Sequence, residues 1–152
     1  MTEIARIRDQ LQRAYDGDAW HGPSLCAILS DVTAAKAAAK SIPASHSIWE
    51  FVLHVTIWQK IVVRRLQGET IVDIPESENF PRVMDASEQA WQRTLQGLKE
   101  AHQQLYDAIG RLTDARLGDI ISGKGYTAYV MLHGVIQHNL NHAGQIAILK
   151  KA

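Results

Sequence analysis

The chain has 152 residues, 46% hydrophobic and 21% charged, enough to bury the core of one ordinary soluble domain. Sixteen Lys and Arg balance sixteen Asp and Glu without forming a basic stripe, which argues against a nucleic-acid or anionic-membrane surface. The one cysteine, Cys26, excludes an internal disulfide and fits a small buried side chain in a reducing cytoplasm.

The opening stretch "MTEIARIRDQLQRAYDG" alternates charge with apolar residues, unlike a secretory signal. It predicts a first helix from about Thr2 to Asp16, with Ile4, Ile7, Leu11 and Tyr15 on one face. The turn "DGDAWHGPS" interrupts it. A further helical segment is expected from Pro23, with Leu25, Ile28 and Leu29 forming its apolar face, and "SIPASH" ends that unit. Ser47 and Glu50 form a capping-box pattern that opens a second long helix, running to about Leu66 and stopped by Gly68. This helix is apolar on nearly every side, so it is expected at the centre of the molecule or at a contact with a second copy. Glu50, His54, Gln59 and Lys60 interrupt its apolar run, which a membrane span would not tolerate. The stretch from about Gly68 to Val83 is long for a connection and reads as a crossover or a lid. Asp85 and Glu88 suggest another capping box. The third long helix then carries Trp91, Leu95, Leu98, His102, Leu105, Ile109 and Leu112 in alternating steps of four and three. The last helix starts near Tyr126. The expected fold is therefore all-α, one domain over residues 1–152, a four-helix bundle with short extra helical segments.

The last helix contains "HGVIQHNLNHAGQI". At 100° per residue, His138 and His142 stack on one face, whereas His133 lies about 140° away from His138. A pair is too few protein ligands for a transition-metal site. His54, in "FVLHVTIW", is the best third ligand, because an unpartnered imidazole is costly in an apolar helix; its plainer role is a hydrogen-bonded core residue. Glu50 lies one turn before His54, placed to orient a ligand or act as a catalytic base. His21, in the turn "AWHGPS", and Gln145, just after the histidine pair, are candidate pocket residues. Gly144 would permit close helix approach. His102 is expected to hydrogen-bond within a bundle layer, and His46 to be exposed. The four tryptophans read as core or interface aromatics.

The segments "AWHGPS", "HSIWEFVLHVTIW" and "HGVIQHNLNHAGQI" together resemble the DinB/YfiT-like superfamily of small helical bundles. The resemblance implies a four-helix bundle, frequently a homodimer, with a divalent metal, usually zinc or nickel, on three histidines that fall at His54, His138 and His142. It also implies chemistry of the kind found in metal-dependent transferases and isomerases that use low-molecular-weight thiols such as bacillithiol or mycothiol. One position departs from the pattern: relatives often carry Arg after the last ligand, where this chain has Ala143. The functional expectation is a cytoplasmic metal-dependent thiol S-transferase or hydrolase acting on a small electrophile. The alternative is a stress-associated bundle that binds metal or a partner without turnover.

Overall fold

The computed structural model describes residues 1–152. The chain folds into seven α-helices: α1 (Glu3–Asp16), α2 (Leu25–Leu29), α3 (Ala34–Ala38), α4 (Ile48–Leu66), α5 (Glu76–Asn79), α6 (Glu88–Gly110) and α7 (Ala128–Lys151). A 3₁₀ turn at Asp114–Gly118 lies between the last two. Each long helix starts at a hydroxyl that accepts a backbone N–H of the first turn: Thr2, Ser47, Ser87 and Thr127. Gly68 stops α4 with φ at 95°, a conformation glycine adopts without strain.

Local chemistry departs from the sequence expectation in four places. The segment after Pro23 is two short helices, because the hydroxyl of Thr33 accepts from the Lys36 N–H and caps a second start. Ser47 caps α4, but Glu50 does not complete a capping box; its carboxylate turns to Lys40 and His46. The cap of α6 is Ser87, not Asp85, and the Glu88 carboxylate accepts the N–H of Ala34 instead, serving the start of α3. A Cβ built on Gly144 would meet nothing within 4 Å, so this glycine marks no close helix approach.

Helix α4 packs against both α6 and α7, and α1 packs against the same two from the other side. Helices α1 and α4 thus occupy one diagonal of the bundle, α6 and α7 the other. Two connections must cross a diagonal. The first uses α2 and α3, and the second uses the 3₁₀ turn. Helix α4 is apolar on many sides because α3, α5, α6 and α7 all cover it.

The apolar interior is divided in two. One cluster gathers Trp49, Val52, Val55, Trp91, Leu98 and Ile146, the other Ile7, Leu11, Val62, Leu105, Ile109 and Leu132. Between them lie buried Gln59 on α4, His102 on α6 and Asn139 on α7. His102 Nε2–H donates to Gln12 Oε1 at 3.1 Å, and its ring stacks on Tyr15, as a bundle-layer role predicts. Trp49 and Trp91 are core residues, whereas Trp20 is fully exposed. Half-buried Cys26 beside Tyr15 has its thiol pushed up by burial, which suits an inert side chain. No helix is long and apolar enough to cross a membrane.

Candidate metal centre

Helices α4 and α7 are neighbours, so His54 meets His138 and His142 across their groove. His138 Nε2 lies 3.0 Å from His54 Nε2 and 3.2 Å from His142 Nε2. Nitrogens held about 2.0–2.1 Å from one ion at tetrahedral angles lie roughly 3.3 Å apart, close to this spacing.

Hydrogen bonds on the far side of two rings set their tautomers. His54 Nδ1–H donates to the Asn79 carbonyl at 2.8 Å, and His142 Nδ1–H donates to Gln145 Oε1 at 2.5 Å. In the neutral rings each Nε2 is then a bare lone pair. Both lone pairs point to His138 Nε2. A proton there satisfies only one of them, and a proton on His138 Nδ1 satisfies neither; that Nδ1 has no partner of its own. A cation at the centre is the species that engages all three nitrogens. The donor set therefore fits a divalent ion that favours imidazole, such as zinc or nickel.

Burial keeps these imidazoles in the neutral form that coordination requires. It lowers His138 to about 4, assisted by the neighbouring His142 and His54. His54 and His142 are also lowered, chiefly by burial.

A family model described as the DinB superfamily matches residues 8–146. The chain belongs to the DinB superfamily. No curated protein and no solved structure matches it. In this DinB-superfamily chain Ala143, next to the last candidate ligand, is buried in the core cluster with Ile146 and Leu149. The position where the resemblance leads to an expected Arg thus faces packed apolar side chains here.

The lid expectation for the segment after α4 fits the contacts. Helix α5 ends at Asn79, whose carbonyl holds His54 and whose side-chain oxygen accepts from the Trp58 indole N–H at 2.8 Å. Phe80 then stacks on His54 with ring centroids 4.0 Å apart. On its other face Phe80 stacks on His46 at 3.6 Å. His46 is therefore half-buried beside the centre rather than a plain exposed residue. Asn79 and Phe80 carry no signal in the sequence, and His46 reads there as exposed, because their contacts need the chain to fold back over α4. The i,i+4 spacing of His46 and Glu50 was the one available signal.

Glu50 makes no hydrogen bond to the three clustered histidines. Its carboxylate accepts from His46 Nδ1–H at 2.7 Å and pairs with Lys40 at 2.8 Å. Partial burial opposes its ionisation, but the bonds from Lys40 and His46 outweigh that and hold it below the usual carboxylate range. His21 also lies elsewhere, exposed in a hollow with Trp20, Ile136 and Leu140. His133 sits on another face of α7, near Tyr129 and 3.9 Å from Glu3.

A hollow of about 250 Å³ opens between α4 and α7, with His138 in its wall. Its lining is mostly apolar, with Trp58, Val62, Met131 and Val135. A small molecule in this hollow lies against His138, one of the three clustered rings.

Proposed function

We propose that this chain is a divalent-metal-dependent enzyme that joins water or a low-molecular-weight thiol to a small electrophile, with His54, His138 and His142 as the metal ligands. One observation carries the reading: three imidazoles converge, two with tautomers fixed from behind, and one of the three, His138, also walls an apolar hollow. A closed structural site would use a fourth protein ligand and need no hollow. When bound, zinc or nickel supplies the acidity that turns water or a thiol into a nucleophile at neutral pH. The chain's own residues supply the rest. The Asn79 carbonyl and Gln145 aim the rings, and Phe80 covers His54. Glu50 is a positioning residue that holds His46 beside Phe80.

Elemental analysis of untagged protein tests the site. The expected result is about one zinc or nickel per chain, lost in His54→Ala, His138→Ala and His142→Ala but kept in His133→Ala. Turnover of a chromogenic electrophile, with and without added thiols, then separates hydrolase from transferase. A metal-loaded protein inert to both panels would favour a bundle that binds metal without turnover. A homodimer belongs to the same proposal. Light scattering at micromolar concentration checks it, and a monomer would remove that part alone.

A further inference from the structure

Arg65 is buried to 5% exposure near the end of α4, and no carboxylate pairs with it. Its Nε–H and one Nη2–H donate to the Ile71 carbonyl at 3.0 and 2.6 Å, and one Nη1–H donates to the Tyr126 hydroxyl at 2.9 Å. These bonds occupy three of the five guanidinium N–H groups. They hold the group in place without neutralising its charge. A buried charge without a counter-ion is costly, so this arrangement favours an incoming anion.

Arg65 lines the hollow that also contains His138, and its guanidinium lies beside two further lining residues, Trp58 and Tyr126. Trp58 stands between them: its ring centroid is 6.0 Å from that of His138 and 5.6 Å from Arg65 Cζ. The Tyr126 hydroxyl accepts from Arg65, so its own proton is free to donate. The hollow thus has a fixed cation with an adjacent hydroxyl donor, an apolar middle of Trp58, Val62 and Met131, and an imidazole of the metal centre. Its volume of about 250 Å³ lies below the ~300–1,000 Å³ typical of drug-sized ligands, which limits the occupant to a small molecule.

We propose that the substrate of this site is a small amphipathic oxyanion, whose carboxylate or phosphate binds Arg65 and Tyr126 while its apolar part lies on Trp58 and its reacting end meets the histidine cluster. The assignment rests on the proposed function, because it places the reacting end at the metal ligands. Charge-assisted bonds to a guanidinium select an oxyanion over a neutral or cationic molecule of equal size.

The test titrates zinc-loaded protein with hexanoate, hexyl phosphate, 1-hexanol and hexylammonium, following the Trp58 indole N–H by NMR. At least one anion should bind tenfold or more tightly than 1-hexanol, with hexylammonium weakest; the better anion names the oxyanion. The preference should persist in chelator-treated protein and in His142→Ala. It should fall at least tenfold in Arg65→Gln and be partly retained in Arg65→Lys. Equal affinity of wild-type protein for hexanol and both anions overturns the inference, whatever the fate of the variants. A preference that disappears with the metal also overturns it, since the anion would then sit on the ion. A chain that binds no metal but keeps the preference upholds the anion pocket and ends the metal-enzyme reading; a metal-loaded chain without the preference does the reverse.

Discussion

Gln145 never touches the point where the three imidazoles converge, yet it decides which nitrogen of His142 is bare. Its side-chain oxygen accepts the Nδ1–H and leaves Nε2 to the cluster. Leucine at this position keeps the bulk and loses the acceptor. Gln145→Leu is expected to weaken zinc affinity by roughly 10–100-fold with the helix content unchanged, measured by competition with a chromogenic chelator and by circular dichroism. The backbone carbonyl of Asn79 does the same for His54, so no side-chain substitution at 79 removes that bond directly. The histidine pair of α7 was legible in the sequence, because helical spacing pairs His138 with His142 and isolates His133. The environment of Glu50 was not. Spacing placed it one turn from His54, but the approach of Lys40 and His46 drew its carboxylate aside.

Helix α4 carries His54 and Arg65 eleven residues apart, so its rigidity fixes one member of the histidine cluster relative to the proposed anion site. Its start depends on the buried hydroxyl of Ser47, which accepts the Glu50 N–H at 3.1 Å. Ser47→Ala is expected to cost about 1 kcal/mol, seen as a lower urea midpoint at unchanged slope. The Glu50 carboxylate does not return to Ser47, so its loss should not add to this through the cap. A capping pattern in sequence locates a helix start to within a residue or two. It does not say which backbone group the acid will serve. Glu88 makes the point: it stands in the first turn of α6 and bonds the first turn of α3.

At the scale of the whole molecule, His102 links stability to pH. It sits in the polar layer between the two apolar clusters, and burial lowers it to about 4 although Asp16 acts in the other direction. The unfolded chain takes up a proton near pH 6.5, while the folded chain resists until about 4. Stability is therefore full above about pH 6.5 and falls as pH drops through that window, by up to about 1.4 kcal/mol per pH unit for each such histidine. Urea titrations of metal-free protein from pH 4 to 7 should show this slope, and His102→Gln should reduce it by about one proton. The helical class, the starts of the long helices to within about two residues, the separation of His133 and the His138–His142 pair were determined by the sequence alone, because period and capping are local properties of a chain. The meeting of α4 with α7, the folding of Asn79 and Phe80 over His54, and the placing of Arg65 in a hollow beside His138 were decided only by tertiary structure. Those contacts join residues 21 to 84 positions apart, and packing rather than spacing selects which distant faces meet.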